Sequence, residues 1–188
     1  MTEQSLWTIP NIITIFRILL TPGIVVAYLD QNFVAAWMLF MVAGLSDALD
    51  GFLARILNQR SEFGAMIDPL ADKILLVTSF LCLSVQGCVS NWLTVLVISR
   101  DLIIVGGLVL LKFYGMEVEK RIDPLLSSKI TTALQILVVF SVLCRLAFGL
   151  DIGLLHPGLE WCAALFTLMS GAIYLKKGMA MFSEIGER

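Results

Sequence analysis

The sequence has little charge for its length. Of its 188 residues, 15% are charged and 59% are hydrophobic, whereas a soluble domain averages about 25% charged and about 45–50% apolar. This shortage argues against a soluble helical bundle. The formal net charge is only −2, so the overall charge gives no argument for a nucleic-acid partner.

Histidine and cysteine are also scarce. The chain has one histidine and four cysteines, Cys82, Cys88, Cys144 and Cys162, with no CxxC pair. Free cysteine is among the most buried residue types, so all four are interpreted as small core residues. His156 is predicted to lie in a loop.

Targeting signals, low-complexity segments and internal repeats are not found. The first eleven residues contain no Lys or Arg, which disfavours a cleaved signal peptide. Trp7 and Pro10 suit a segment at the membrane interface that leads into a first helix. Residues 1–188 are predicted to form one domain.

Long apolar stretches make up most of the sequence. A membrane-spanning helix needs about 20 mostly apolar residues, and six stretches approach that length. They are Ile12–Leu29, Phe33–Leu53, Ala65–Val85, Trp92–Phe113, Ile130–Phe148 and Leu159–Leu175. The predicted fold is an all-α integral membrane protein with six transmembrane helices.

The basic residues predict the orientation, because Lys and Arg are enriched in cytoplasmic loops. With six spans both termini share one side of the membrane, and the opposite loops offer only Arg145. The basic residues on the shared side are Arg55, Arg60, Lys112, Lys120, Arg121, Lys129, Lys176, Lys177 and Arg188. Both termini are therefore predicted to be cytoplasmic in a multi-pass protein, with a bacterial inner membrane as the expected location.

Four aspartates stand inside apolar sequence. Asp47 and Asp50 precede the polar segment 58–62, and Asp68 and Asp72 follow it. Spacings of three and four place each pair on one face of its helix. If the two helices form a hairpin, all four carboxylates meet, on the side predicted to be cytoplasmic.

Such a cluster needs cations, shared protons or separate solvated faces, because like charges repel. Oxygen ligands without nearby His or Cys suit Mg²⁺ or Mn²⁺ rather than zinc. Glycine inside a helix costs about 1 kcal/mol relative to alanine, so Gly51 and Gly64, with Ala54, indicate close approach of something bulky. The planar fork of Arg55 could clamp a phosphate. The alternative is that the four aspartates only hold helices together and take part in no reaction.

The pattern D-x2-D-G-x2-A-R-x8-G-x3-D-x3-D is matched without departure. Its positions are Asp47, Asp50, Gly51, Ala54, Arg55, Gly64, Asp68 and Asp72. This resembles the signature of the CDP-alcohol phosphotransferases. The resemblance implies transfer of a substituted phosphate from a CDP-linked donor, here CDP-diacylglycerol, to an alcohol with release of CMP.

The resemblance also implies roles for single residues. Two divalent ions would be held by Asp47, Asp50, Asp68 and Asp72, and Asp72 would be the catalytic general base. The CDP-binding set would be Asp47, Asp50, Gly51, Ala54, Arg55, Gly64 and Asp68.

Four further basic residues are candidates for binding the acceptor alcohol: Arg17, Arg100, Lys129 and Arg121. Arg17 ends a P-N-x2-T-x2-R start that resembles the family's, and its alternative is a snorkelling arginine. Arg100 could instead merely pair with Asp101. Lys129 and Arg121 could belong to an ordinary basic loop.

The resemblance favours phosphatidylglycerol as the acceptor, with glycerol 3-phosphate as the alternative and inositol phosphate, serine or choline as remoter ones. Segments such as Ala43–Asp47 and Ile98–Asp101 resemble the eukaryotic-type cardiolipin synthases, which use phosphatidylglycerol. The related phosphatidylglycerophosphate synthases use glycerol 3-phosphate and commonly have Glu and a second arginine where this chain has Asp101 and Leu108. The short loop from Phe113 to Ser128 favours the second group.

Two other hypotheses remain. An acidic cluster in a six-span protein could belong to a cation channel or transporter, which would give metal flux without CMP release. Gly44, Gly51, Gly106 and Gly107 could let helices pack closely, within one chain or across a homodimer.

Overall fold

The computed structural model describes residues 9–56, 62–113, 126–150 and 153–186. Side chains are described for residues 11–47, 49, 67–107, 127–150 and 153–180.

This part of the chain is all-α, as the composition predicts. Its helices are α1 (Ile9–Leu29), α2 (Phe33–Ile56), α3 (Glu62–Val85), α4 (Asn91–Phe113), α5 (Leu126–Phe148) and α6 (Leu155–Gly186). Each contains one of the six predicted apolar stretches. The loop prediction for His156 is wrong, because this residue lies in the first turn of α6.

Three segments within the described residues are long and apolar enough to cross a membrane: Asn11–Leu29, Ser127–Phe148 and Leu155–Ala180. A shorter apolar segment, Phe33–Asp47, lies in α2. Charged residues also lie in α3, which carries Asp68 and Asp72, and in α4, which carries Arg100 and Asp101. Three such segments indicate a membrane protein.

The helices form two compact units. The first contains α1, α2, α3 and the second half of α5. The second contains α4, the first half of α5 and α6.

In the first unit α1 packs against both α2 and α3. A tight connection joins α1 to α2: Gln31 has a positive φ of 59°, and the Asn32 side chain accepts a hydrogen bond from the Ala35 amide at 3.2 Å. An asparagine in that position caps a helix N-terminus. α2 also reaches α5, where the Trp37 indole donates to the Cys144 sulfur at 3.0 Å.

In the second unit α4 packs against α6. The amide and hydroxyl of Ser90, at the start of α4, donate to the Glu160 carboxylate at 3.0 and 2.6 Å. Trp92 and Trp161 pack beside this contact in a tilted arrangement, with ring centroids 5.1 Å apart. The two helices are therefore tied together at their N-terminal ends.

Candidate active site

The described aspartates of the motif lie on two helices of the first unit. Asp47 is on α2, and Asp68 and Asp72 are one turn apart on α3. Their surroundings leave room for solvent or ligand, because the side chains of Asp47 and Asp72 are 52% and 41% exposed.

Arg17 of α1 brings the two helices' carboxylates together. One guanidinium nitrogen, Nη1, donates to Asp72 Oδ1 at 2.5 Å and lies 3.0 Å from Asp47 Oδ1. The arginine side chain itself is 1% exposed. Because one nitrogen contacts both carboxylates, their oxygens face a common point. The alternative of a snorkelling arginine is wrong, since the head group is buried and paired.

Thr14, one turn before Arg17, completes the same face of α1. Its hydroxyl donates to Asp68 Oδ1. Asn11, Thr14 and Arg17 are all buried, and their spacing of three places them on one helix face. The sequence interpretation gave Thr14 no role. The signal for it is a polar residue every third position in a helix that is otherwise apolar.

The cluster carries more negative than positive charge. Arg17 pairs with two of the three described carboxylates, and unbalanced charge is costly in a membrane protein. The carboxylate groups offer only oxygen atoms as metal ligands, the type that Mg²⁺ and Mn²⁺ prefer. Arg17 already supplies one positive charge between two of the carboxylates, and binding of a divalent cation stays a prediction. Among the described side chains no group of three His, Cys, Asp or Glu residues has metal-binding geometry.

The remaining motif residues lie where the helix backbone, but not the side chain, is described. Asp50, Gly51, Ala54 and Arg55 are in α2 and Gly64 is in α3. Arg121 lies outside the described residues altogether. The roles assigned to these positions stay predictions.

Arg100 is a buried cation of the second unit, with 4% of its side chain exposed. Its Nη1 donates to Asp101 at 2.7 Å, and its Nη2 donates to Ser128 at 2.6 Å and to Ser170 at 2.8 Å. One guanidinium thus joins α4, α5 and α6. The pairing with Asp101 that formed the alternative is present, and binding of an acceptor by Arg100 stays a prediction.

Lys129 lies beside Ser128 and is exposed. It lines a cavity of about 350 Å³ together with Ser128, Thr132, Ala133 and Ile136. The structure therefore places Arg100, Ser128 and Lys129 together in the second unit, and Arg17 with the aspartates in the first.

An all-helical chain with long apolar segments brings three aspartates of this motif together. The family profile described as CDP-alcohol phosphatidyltransferase matches residues 7–169. The chain belongs to this family.

The curated relatives that the chain matches include two kinds of enzyme. The CMP-forming cardiolipin synthase of Homo sapiens is 32% identical over 183 residues, covering 90% of this chain and 60% of the human protein. The CDP-diacylglycerol–glycerol-3-phosphate 3-phosphatidyltransferase of Haemophilus influenzae is 33% identical over 178 residues, covering 90% of this chain and 92% of the bacterial protein. The chain thus spans about 60% of the length of the mammalian synthases it matches.

Proposed function

We propose that the chain is a phosphatidyltransferase that moves a phosphatidyl group from CDP-diacylglycerol to an alcohol and releases CMP. The observation that carries the proposal is the meeting of Asp47 and Asp72 on one nitrogen of Arg17. It joins carboxylates from both ends of the family motif in one half-exposed site.

The reaction needs a base and a leaving group. The acceptor oxygen attacks the phosphorus that carries the diacylglycerol, the bond from that phosphorus to the CMP oxygen breaks, and CMP departs with the electron pair. Asp72 takes the proton of the acceptor hydroxyl, for which it must come within about 2.6–3.2 Å of that oxygen. Arg17 holds Asp72 in place on α3.

Divalent cations belong to the same proposal. Asp47, Asp50, Asp68 and Asp72 would hold two ions, Mg²⁺ or Mn²⁺. Bound there, the ions would neutralise the diphosphate and stabilise charge on the attacking and leaving oxygens.

The donor site is assigned from the motif. Asp47, Asp50 and Asp68 would face the CDP diphosphate, and Arg55 would hold a phosphate through its planar fork. Gly51, Ala54 and Gly64 would leave room for the cytidine.

The favoured acceptor is phosphatidylglycerol, which would give cardiolipin, because Asp101 and Leu108 stand where glycerol 3-phosphate enzymes commonly have Glu and Arg. The second candidate is glycerol 3-phosphate, which the short loop from Phe113 to Ser128 favours. The similarity to the human synthase and to the Haemophilus influenzae enzyme covers 90% of this chain in both cases. Arg17, Arg100, Lys129 and Arg121 are the residues proposed to receive the acceptor.

The proposed setting is a bacterial inner membrane crossed six times, with both termini and the active site on the cytoplasmic side. A homodimer is compatible with the glycines of α2 and α4. Nucleic acid has no place in this function.

The test is CMP release by the purified protein in detergent with CDP-diacylglycerol. Phosphatidylglycerol and glycerol 3-phosphate are compared as acceptors, each with Mg²⁺, with Mn²⁺ and with EDTA. We expect metal-dependent CMP release and cardiolipin as product. CMP release with glycerol 3-phosphate but not with phosphatidylglycerol would assign the second candidate. No CMP release with any alcohol would refute the phosphatidyltransferase activity.

A further inference from the structure

Helix α1 carries a buried polar stripe in otherwise apolar sequence. Its members are each no more than 4% exposed: Asn11, Thr14, Arg17 and Thr21. Spacings of three and four keep them on one face of the helix, and α1 packs against α2 and α3. Burying a polar group is costly unless it is hydrogen-bonded, so this stripe needs partners within α1 or on the neighbouring helices.

Two contacts join the stripe to the acidic face of α3. The Thr14 hydroxyl donates to Asp68 Oδ1, and Arg17 Nη1 donates to Asp72 Oδ1 at 2.5 Å. The two donors lie about one turn apart on α1, and the two acceptors lie about one turn apart on α3. One turn of α1 therefore lies beside one turn of α3, and each of these carboxylates is held through one of its two oxygens.

Buried hydroxyls elsewhere in the helices bond their own backbone. The hydroxyls of Thr21, Ser79 and Thr167 donate to the carbonyl oxygen four residues earlier, at 3.2, 2.8 and 2.6 Å. This is a common arrangement for a hydroxyl inside a helix. Thr14 differs because its hydroxyl reaches a carboxylate on another helix. Since a helical threonine can be satisfied within its own helix, the contact matters for what it does to Asp68.

The contact restrains a torsion that Asp68 would otherwise leave loose. The χ2 torsion of an aspartate, about the Cβ–Cγ bond, has a broad distribution without sharp staggered minima. Asp68 is only partly buried, so packing alone leaves this torsion weakly restrained. Thr14 is 1% exposed and so is held firmly in the helix packing. With Oδ1 held by Thr14, the second oxygen of the carboxylate, Oδ2, keeps one direction.

We propose that Thr14 is a positioning residue that orients the Asp68 carboxylate for the CDP-linked donor and its divalent cation. The inference rests on the proposed function, in which Asp68 belongs to both the metal-binding set and the CDP-binding set. Arg17 acts through Asp72, the proposed base. The two neighbouring contacts of α1 thus serve different parts of the reaction: Thr14 serves binding of the donor, and Arg17 serves removal of the acceptor's proton.

The test compares two buried threonines on the same face of α1. Thr14→Val keeps the β-branched shape of the side chain and removes the hydroxyl. Thr21→Val is the matched control, because the Thr21 hydroxyl donates to the backbone of α1 rather than to a carboxylate. Thr14→Ser restores a hydroxyl and is the rescue variant. Binding of Mn²⁺ is measured by electron paramagnetic resonance on the full chain in detergent, with CDP-diacylglycerol and without an acceptor alcohol.

We expect Thr14→Val to weaken Mn²⁺ binding by about 10- to 100-fold, the usual effect of losing a group that orients a metal-binding side chain. Thr14→Ser should restore most of the affinity, and Thr21→Val should leave it unchanged. Thr14→Ala removes the same hydroxyl with a smaller side chain, so a folding defect in either Thr14 variant leaves the other decisive. Wild-type affinity without the Thr14 hydroxyl, or an equal loss in Thr14→Val and Thr21→Val, overturns the proposal.

Steady-state kinetics separate positioning from a general loss of folded protein. Thr14→Val should raise the KM for CDP-diacylglycerol by about tenfold or more and leave the KM for the acceptor alcohol unchanged. Partial unfolding would instead lower kcat and leave both KM values as they are. That second pattern would contradict the positioning role.

The two proposals fail in different ways. CMP release by the wild type, together with unchanged Mn²⁺ binding by Thr14→Val, removes the role of Thr14 and leaves the phosphatidyltransferase standing. No CMP release with any alcohol refutes the phosphatidyltransferase. Weaker Mn²⁺ binding by Thr14→Val with rescue by Thr14→Ser would then still establish that Thr14 orients a cation ligand. No Mn²⁺ binding by the wild type overturns the role of Thr14.

Discussion

At the scale of single residues, Arg17 neutralises part of the negative charge of the clustered aspartates. Its guanidinium is buried, while the Asp47 and Asp72 side chains that it pairs with are about half exposed. Water can therefore hydrate the carboxylates but hardly the arginine. Removing the arginine leaves like charges close together, and a divalent cation is the natural replacement for it.

Arg17→Met is expected to lower the thermal stability of the protein in EDTA, by about 1–3 kcal/mol in the free energy of unfolding for the lost charged hydrogen bonds. Added Mg²⁺ should restore part of the loss, because it supplies the missing positive charge. The measurement is thermal unfolding in detergent with and without Mg²⁺. Arg145→Met is the control, since Arg145 forms no ion pair with a described residue. An Arg17→Met variant that is equally unstable with and without Mg²⁺ would argue against a cation site at the carboxylates.

Asp72→Asn is expected to bind CDP-diacylglycerol but to lose turnover by a factor of about 10² to 10⁴, the usual contribution of a general base. The amide keeps the shape of the side chain but cannot take the acceptor's proton. CMP release and donor binding are measured on the same preparation. Asp30→Asn, in the exposed turn after α1, serves as control. Full activity of Asp72→Asn would remove the base role.

At the scale of helices, the local sequence pattern predicts where the helices lie but not which residues distant in sequence come into contact. Apolar length places all six helices, and the spacing of the aspartates predicts that α2 and α3 contribute to one site. No role was predicted for Thr14, because a threonine in an apolar helix more often donates its hydroxyl hydrogen bond to a backbone carbonyl of the same helix. The Arg100 network was missed for another reason: Ser170 lies 70 residues away, and only packing of α4 against α6 reveals it.

The contact between α4 and α6 gives a prediction at this scale. Glu160 is buried and accepts two hydrogen bonds from Ser90, so Glu160→Ala removes this partner from the amide and the hydroxyl of Ser90. We expect a loss of about 1–3 kcal/mol of stability, the cost of unsatisfied buried polar groups.

Glu160→Gln is the matched comparison, because its amide oxygen still accepts a hydrogen bond from Ser90. Thermal unfolding of both variants should rank the alanine below the glutamine. If the two melt together with the wild type, the contact contributes nothing to the stability of the second unit.

At the scale of the whole molecule, the proposed orientation follows from charge rather than from contacts. Described basic residues at one end of the helices, such as Lys129, Lys176 and Lys177, contrast with the single Arg145 near the other end. Lys and Arg in short loops favour the cytoplasmic side.

Fusions in a bacterial inner membrane test this orientation. Green fluorescent protein at the C-terminus should fluoresce, because it folds in the cytoplasm. Alkaline phosphatase inserted between α5 and α6, near Leu154, should be active, because it requires the oxidising outer side. The reverse pair of results would place the active site on the outer face and contradict the proposed topology.

The pairing of Arg17 with distant aspartates has a consequence for biosynthesis. α1 is made before α2 and α3, and Asp47 and Asp72 follow Arg17 by 30 and 55 residues. An arginine at the centre of a membrane helix costs about 2.5–3.5 kcal/mol on the insertion scale. The ion pairs that offset this cost for Arg17 form only after α3 has been synthesised. Helix α1 thus completes its contacts well after its own synthesis.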